Sequence, residues 1–444
     1  MKFTLPVIDE LSVNINITDN PYRLHYHELF TMAARINKKR SFLFVSKVLG
    51  KHIPINPRKG LLTGALLANR YMEVVKGIDT GKREELLSAF LNPTDDDIFQ
   101  PFISENENPV IIGFAETATA LGHAFFHCFQ GADFFHTTRE NVMNLDPAIT
   151  FEEEHSHATS HRCYVDESFL HNEREIILVD DEMTTGKTNI NIIRQIQKRF
   201  PRKVYTVVSI LDWRSEENRK LYAELEKELD IVIHSVSLLK GTIQLVGSLE
   251  IEESSSTIGN STILPSLTEV SIAKLFPGKL TLLPYGSQST NGKINNGPYL
   301  KGTGRFGLRS KDNMQLNETL EELGTQLAHM RNGNKTLCLG TGEFMYIPMK
   351  IASYMGNGVS YHSTTRSPIY VDNGEHYGAK AGLSFPNPED QEIANFVYNI
   401  KRDKYDELFL FFEREIRLED LQSFINELKK TNIKDIKVIY FNGG

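Results

Sequence analysis

The sequence predicts an α/β fold built on a parallel sheet, followed by a second, degenerate α/β domain of related architecture. Two runs, 110–113 and 176–179, are aliphatic almost without interruption, as strands covered on both faces are. A turn of small or hydroxyl side chains follows each run, and apolar residues at helical spacing follow the turn. A weaker copy of the first of these units recurs in residues 340–366.

The chain opens with alternating strand-like residues, among them Val13, Ile15 and Ile17. The spacing of apolar residues then predicts helices over residues 25–34, 61–72 and 83–91. We expect these elements to form a sheet edge and its covering helices.

The first aliphatic run leads into a turn with small side chains, Ala115, Glu116, Thr117 and Ala118. Small residues let backbone amides approach an anion, and they also permit close packing of a helix on a strand. Glu116 would repel a bound anion. We therefore expect its carboxylate either to point away from the turn or to act through a bound cation.

A short strand over residues 134–136 is followed by Arg139, which is either a charge-assisted anion contact or a surface arginine. Residues 144–172 show no clear periodicity, and a long irregular segment inside a domain is usually functional. This segment contains His155, His157 and His161, which could bind a metal, and an ordinary solvated loop is the alternative.

The second aliphatic run ends in two carboxylates, Asp180 and Asp181, and a hydroxyl-rich turn opens the next helix. Backbone amides at a helix N-terminus bind anions, so a ligand with a phosphate and a diol would fit. A nucleoside-triphosphate loop would need glycine five residues before Gly186, where Asp181 stands. A core strand with an ordinary capped helix is the other alternative.

Residues 176–188 resemble the PRPP (5-phosphoribosyl 1-diphosphate) motif of type I phosphoribosyltransferases. The resemblance implies that Asp180 and Asp181 hold the ribose hydroxyls and, through them, Mg²⁺. It implies that residues 115–118 and Arg139 hold the pyrophosphate, and that the 144–172 segment closes over the substrate. The 5′-phosphate would be held by Thr184, Thr185, Gly186, Lys187 and Thr188.

Trp213, the single tryptophan, follows a strand predicted over residues 204–212 and either stacks on an acceptor or belongs to the core. Residues 247–267 are rich in Ser, Thr and Gly and are typical of a linker. We therefore predict a transferase-like domain over 1–248, a linker over 249–267 and a second domain over 268–444.

The second half contains a partial repeat of the first. Placing Gly340 on Gly113 aligns Glu343 with Glu116, and it aligns residues 364–366 with the Thr-Thr-Arg of 137–139, without a gap. The counterpart of the PRPP motif, residues 407–414, keeps a strand but lacks an acidic pair. This copy should not hold PRPP alone.

The retained residues suggest a second anion site, for a carboxylate or phosphate of the acceptor or of another metabolite. Its predicted residues are Gly340, Gly342, Glu343, Arg366 and Arg305. The alternative is that these residues only pack, and that the second domain completes an internal pseudo-dimer.

The sequence Thr365-Arg366-Ser367-Pro368 resembles the TRSP domain, which accompanies a transferase-like domain in bacterial proteins of tellurite-resistance and stress operons. The resemblance covers essentially the whole chain. It implies a biosynthetic role in making a nucleoside-like metabolite.

The composition is that of an ordinary soluble protein, with 40% hydrophobic and 24% charged residues in a chain of 444. A net charge of −8 and the lack of a long basic block argue against a nucleic-acid or membrane partner. Three dispersed cysteines and the lack of an 18-residue apolar run favour the cytoplasm. Partners are expected to be PRPP and a small-molecule acceptor, and the expected assembly is a homodimer or an internal pseudo-dimer.

The leading hypothesis is a Mg²⁺-dependent phosphoribosyltransferase that displaces pyrophosphate from C1 of PRPP. Purine-type relatives place an aspartate general base at position 184, where this chain has Thr184, so the acceptor is either easily deprotonated or served by His155 or His157. The competing hypothesis is a PRPP or nucleotide sensor that kept the pocket without the chemistry. The sequence does not identify the acceptor.

Overall fold

The computed structural model describes residues 1–36, 41–94, 100–152, 160–248 and 263–442. The strands, in chain order, are β1 (Lys2–Ile8), β2 (Leu11–Asp19), β3 (Phe30–Ala34), β4 (Phe42–Ser46), β5 (Val110–Gly113), β6 (Asp133–His136), β7 (Asn141–Val142), β8 (Ile149–Glu152), β9 (Ser160–Cys163), β10 (Ile176–Met183), β11 (Val204–Asp212), β12 (Val232–Val246), β13 (Ser266–Ser271), β14 (Leu282–Leu283), β15 (Ser287–Gln288), β16 (Ile294–Asn295), β17 (Tyr299–Leu300), β18 (Leu308–Arg309), β19 (Thr336–Gly340), β20 (Val359–Ser363), β21 (Gly382–Asn387), β22 (Asp390–Tyr398), β23 (Glu407–Phe412) and β24 (Asp435–Tyr440). The helices are α1 (Tyr26–Leu29), α2 (Pro57–Tyr71), α3 (Arg83–Leu91), α4 (Ala118–Phe126), α5 (Lys187–Arg199), α6 (Glu216–Leu229), α7 (Ile272–Leu275), α8 (Ser310–His329), α9 (Tyr346–Tyr354) and α10 (Leu418–Lys429).

The predicted parallel sheet forms the centre of the first half. Its strand order is β1-β2-β12-β11-β10-β5-β6-β18, and the pairs from β12 to β6 are parallel. The aliphatic residues of β5 and β10 are fully buried, as expected for strands covered by helices on both faces. Parallel pairing brings the carboxyl ends of β5, β6, β10 and β11 to one edge, where a ligand would bind.

The second half has its own five-stranded parallel sheet, in the order β13-β24-β23-β19-β20. Four of these strands follow the order β11-β10-β5-β6 of the first sheet. The fifth strand differs between the two sheets. In the first sheet β12 follows β11 in the chain, whereas in the second sheet β13 precedes every other strand of its sheet. The second sheet is therefore a related, rearranged copy of the first.

The register of the repeat agrees with the alignment made from the sequence. Gly113 pairs with His136 in the first sheet, and Gly340 pairs with Ser363 in the second. The amide of Ala115 donates a 2.8 Å hydrogen bond to Thr137 Oγ1, and the aligned amide of Gly342 donates a 2.9 Å bond to Thr364 Oγ1. The two halves thus repeat the same strand-turn-strand geometry.

One hydrophobic core spans both halves, and a separate cluster lies within the second half. Helix α9 packs on α2 and on α4, its counterpart in the repeat. The ring of His123 on α4 stacks on Tyr346 of α9 with centroids 3.6 Å apart, and β18 pairs with β6 of the first sheet. The second half therefore completes the structure of the first.

Two predicted segments differ from the structure. The helix predicted over residues 25–34 is wrong beyond its first turn, because α1 ends at Leu29 and Phe30–Ala34 forms β3, paired with β4. The segment interpreted as a linker overlaps β13, which begins at Ser266 and pairs with β24. Among the residues described, no helix is both long and apolar enough to cross a membrane.

Candidate functional site

The acidic pair lies within the last part of β10. The strand continues through the acids to Met183 by pairing with β11, whereas its pairing with β5 stops at Val179. Asp180 and Asp181 are half-buried at the edge where β5 has already ended. Burial, and then the neighbouring Glu182, raise the pKa of the Asp181 carboxyl.

The turn after β10 ends at Gly186, and helix α5 begins at Lys187. Gly186 has a φ of 75°, and an added Cβ would lie 2.4 Å from the hydroxyl of Tyr222. That hydroxyl donates a 2.7 Å bond to the Gly186 carbonyl, which fixes the turn. Lys187 is exposed, and Thr184, Thr185 and Thr188 are half-buried. The first amides of α5 have no partner within the helix, so this turn can receive an anion.

The small-residue turn lies beside the acidic pair because β5 and β10 are neighbours. The Phe114 amide donates a 3.1 Å bond to the Val179 carbonyl, directly before Asp180. The peptide bond between Ala115 and Glu116 is cis, and α4 begins at Ala118 after Thr117. The structure thus brings residues 115–118 and 180–188 to one edge of the sheet.

Glu116 takes part in a buried ion pair. Its Oε1 lies 2.5 Å from Nζ of Lys51, and both side chains are buried. Burial favours a neutral Glu116, but Lys51, Arg366 and Arg139 outweigh it and hold the pKa of this carboxyl below its usual value. The first alternative from the sequence, a carboxylate pointing away, fits this geometry. Lys51 was missed because nothing in the sequence around it indicates such a contact.

Arg139 lies between the two halves. Its guanidinium is 3.9 Å from Glu116, and its backbone amide donates a 2.8 Å bond to Oε1 of Glu343. The neighbouring Thr138 hydroxyl donates a 2.6 Å bond to the other oxygen of Glu343. Arg139 therefore faces residues of the second half as well as the turn at 115–118.

The segment predicted to be irregular contains a β-hairpin, in which β8 pairs with β9. His161 on β9 is buried, stacks on Phe151 and hydrogen-bonds to Thr137 Oγ1 at 2.8 Å. Its ring therefore helps to attach the hairpin to the sheet. His155 and His157 lie outside the described residues.

Trp213 belongs to the core, which was the second alternative from the sequence. Its side chain is 2% exposed, stacks on Phe44 and meets Phe30 edge-on. An acceptor cannot reach this ring, so the assignment of Trp213 to the acceptor site is wrong.

A cavity of about 500 Å³ lies between the halves and brings together most of the predicted second anion site. Its lining includes Gly342, Glu343, Arg305 and Arg366, but Gly340 is buried in β19 and does not line it. Arg139 and Glu116 of the first half also line this cavity. The aligned residues of the two repeats thus meet at one place.

Arg305 is committed to a buried network. It forms ion pairs with Glu413 at 2.7 Å and Glu140 at 3.1 Å, and its guanidinium lies over the ring of Tyr299. Burial opposes ionisation of Glu140, but Arg305 and Arg414 outweigh it and lower the pKa of Glu140 to about 2. No motif around Glu140 or Arg414 indicates their roles, because their contacts join residues of both halves.

Comparison with known families accounts for both halves. Residues 29–242 match the family described as phosphoribosyl transferase, and residues 302–428 match the TRSP domain C-terminal to it. The two matches together cover both halves of the chain, in the order that the second description gives. No curated protein matches the chain.

Several solved structures are similar to part of the chain. Adenine phosphoribosyl transferase from Trypanosoma brucei, in complex with AMP, pyrophosphate and ribose-5-phosphate, is 15% identical, with 50% of this chain and 82% of that chain covered at a TM-score of 0.28. The Giardia lamblia enzyme complexed with 9-deazaadenine is 14% identical, with coverages of 38% and 82% and a TM-score of 0.22. A hypoxanthine phosphoribosyltransferase from Staphylococcus aureus is 12% identical, with coverages of 37% and 69% and a TM-score of 0.21.

The TRSP domain has lost the acidic pair of the phosphoribosyl transferase domain. Ile177 pairs with Ile111, and Phe409 pairs with the aligned Cys338, so Glu413 occupies the position of Asp181. Glu413 accepts bonds from Arg305 and from the Leu300 amide. Its carboxylate therefore forms hydrogen bonds to other residues of the protein.

Asp180 and Asp181 are the residues of the transferase domain that could hold a divalent cation. Within the described ranges, no group of three or more His, Cys, Asp or Glu side chains is arranged to hold a metal ion. Two carboxylates fit Mg²⁺, which is often held mainly by substrate oxygens and water.

Proposed function

We propose that the protein transfers the phosphoribosyl group of PRPP to a small-molecule acceptor and releases pyrophosphate. The observation that carries this proposal is the placement of three features at one sheet edge. These are the acidic pair of β10, the turn at 184–188 that opens α5, and the turn at 115–118. They match the diol, the 5′-phosphate and the diphosphate of PRPP.

Each part of the edge has a distinct task. The 5′-phosphate accepts hydrogen bonds from the first amides of α5 and from the hydroxyls of residues 184–188, with Lys187 adding charge. The ribose hydroxyls donate to Asp180 and Asp181. The amides of Glu116 and Thr117 bind the pyrophosphate, because those of Ala115 and Ala118 already donate to Thr137 Oγ1 and to the Phe114 carbonyl. Lys51 keeps the charge of Glu116 from opposing the pyrophosphate.

The reaction breaks the bond between C1 and the pyrophosphate oxygen as the acceptor nucleophile bonds to C1. Positive charge develops on the ribose ring, and the carboxylates of Asp180 and Asp181 stabilise it. Mg²⁺, when bound, neutralises charge on the departing pyrophosphate. Because Thr184 cannot act as a general base, we propose an acceptor that is easily deprotonated, or deprotonation by His155 or His157.

The alternative function is a sensor that binds PRPP or a nucleotide without turning it over. The halves share a core and a cavity, so a ligand bound in one half would contact residues of the other half. This arrangement favours the sensor. Biosynthesis of a nucleoside-like metabolite, a role in tellurite resistance or stress, and a cytoplasmic location also remain proposals.

Turnover in a cell extract separates the two functions. The protein is incubated with PRPP, Mg²⁺ and a small-molecule extract, and released pyrophosphate and new phosphoribosylated masses are measured. We expect release that disappears in the Asp180→Asn/Asp181→Asn variant and persists in Glu216→Gln/Glu217→Gln, an exposed acidic pair on α6. PRPP binding without release would support the sensor instead.

A further inference from the structure

The cavity between the halves lies at the carboxyl ends of the second sheet, where β19, β20 and β23 lead into its lining. Its volume of about 500 Å³ is within the range of small-molecule sites. Residues of both halves line it, so its shape depends on their packing. It shares Glu116 with the turn at 115–118, but none of residues 180–188 lines it.

One part of the lining is positive. Arg139, Arg162 and Arg366 are all half-buried there. Arg139 and Arg366 are the aligned arginines of the two Thr-Thr-Arg sequences, one from each half. Among the described residues, no carboxylate lies within ion-pair distance of Arg366, although its charge lowers the pKa of Glu116. Its guanidinium therefore keeps donors for a ligand, and guanidinium groups bind phosphate or carboxylate in bidentate fashion.

Another part of the lining lacks a donor. Glu389 and Asp390 lie at the turn between β21 and β22. Oδ2 of Asp390 accepts bonds from the Thr290 amide and hydroxyl, both 2.7 Å, but its Oδ1 is buried without a hydrogen-bond partner in the described structure. Burial raises the pKa of Glu389 despite its contact with Arg414. A buried carboxylate oxygen without a donor is costly, and an ammonium group would satisfy it.

Other charged side chains of the lining pair with one another inside the protein. Arg305 and Arg414 pair with Glu140, Glu413 and Glu389, and both guanidinium groups lie over Tyr299. This network connects the halves. Among the described residues it leaves Arg366 without an ion-pair partner and Oδ1 of Asp390 without a hydrogen-bond donor.

We propose that this cavity binds a small dipolar metabolite. Its phosphate or carboxylate contacts Arg139, Arg162 and Arg366, and its amine contacts Glu389 and Asp390. The proposal does not rest on PRPP transfer, because the residues that would bind PRPP at 180–188 are not part of this lining. It assigns the retained Arg366 of the TRSP domain to a ligand that bridges both halves.

Calorimetric titration with two probes tests both ends of the site. Inorganic phosphate reports the anion end, and O-phosphoethanolamine reports the anion and amine ends together. We expect Arg366→Ala to weaken both probes by about tenfold or more, the loss of a hydrogen bond to a charged group. Arg402→Ala, a half-exposed arginine before β23 and at the opposite end of the sheet, should change neither affinity.

The amine end has its own variant. Asp390→Asn keeps the oxygen that accepts hydrogen bonds from Thr290 and should leave the affinity for phosphate unchanged. In this variant O-phosphoethanolamine should bind no more tightly than phosphate. Equal affinities of the two probes for the unaltered protein would overturn the amine contact. Phosphate binding that Arg366→Ala leaves unchanged, or no binding of either probe, would overturn the site itself. If the Asp180→Asn/Asp181→Asn variant loses PRPP transfer but keeps its affinities for phosphate and O-phosphoethanolamine, the cavity is a site separate from PRPP transfer, as proposed.

Discussion

Glu116 shows which properties of a single residue can be predicted from the sequence and which cannot. The sequence shows an acid where the resemblance places a diphosphate, and this conflict predicts a carboxylate that points away or acts through a bound cation. The partner could not be predicted, because Lys51 is 65 positions distant and lies in no recognisable motif. The same holds for Arg305, whose glutamate partners come from both halves.

Replacing Lys51 with methionine should destabilise the protein strongly. The change leaves Glu116 buried without its closest cation, and breaking a buried ion pair in this way costs roughly 3 to 5 kcal/mol. Urea unfolding measures the loss. Adding Glu116→Gln to Lys51→Met should recover part of it, since the unpaired charge is then removed. A Lys51→Met protein as stable as the original would contradict the role of this pair.

Glu140 should make stability depend on acid pH. Its pKa in the folded protein, about 2, is below the usual 4.5, so its stabilisation is complete above pH 4.5 and is lost as the pH falls toward 2. The difference in unfolding free energy between the protein and Glu140→Gln should therefore be constant from pH 7 to 5 and narrow below 4.5. The exposed Glu228→Gln serves as the control, with little effect at any pH. A difference that widens in acid would contradict the network.

Among the elements, the sequence predicts the buried parallel strands well, because their aliphatic runs have no polar interruption. The helix over residues 25–34 fails for a tertiary reason. Phe30 and Phe44 pack with Trp213, and the pairing of β3 with β4 satisfies the backbone of residues 30–34. Neither contact is visible in local periodicity.

The turn that opens α5 should tolerate no side chain at position 186. Gly186→Ala forces a left-handed φ on alanine and places its Cβ against Tyr222, so we expect lower stability and weaker PRPP binding. Gly278→Ala is a matched control, because Gly278 has a φ of 74° and open space around its Cβ position. Thermal unfolding and PRPP titration of both variants make the comparison. Equal losses in the two variants would indicate that backbone strain alone is responsible.

At the scale of the whole molecule, the repeat is readable in the sequence and agrees with the strand register. The way in which the halves associate cannot be read from the sequence, because it depends on β18 joining the first sheet and on α9 packing on α2 and α4. That the TRSP domain takes the place of a second subunit, as an internal pseudo-dimer, stays a prediction. The predicted domain boundaries at 248 and 268 remain a proposal within this shared core.

A shared core should unfold as one unit. Trp213, the single tryptophan, reports the first half, and circular dichroism reports both. We expect coincident urea transitions by the two signals, because separating the halves would expose α4 and α9. A tryptophan transition clearly displaced from the circular dichroism transition would show that the halves unfold separately.

The affinity for PRPP in the presence of Mg²⁺ tests most directly whether the transferase domain binds this ligand at residues 180–188. Calorimetry compares the protein with Lys187→Ala and with Lys198→Ala, an exposed lysine in the last turn of the same helix. We predict that Lys187→Ala weakens binding by about 1.5 to 3 kcal/mol, the value of a hydrogen bond to a charged group, and that Lys198→Ala leaves it unchanged. Equal PRPP affinities for all three proteins would contradict the assignment.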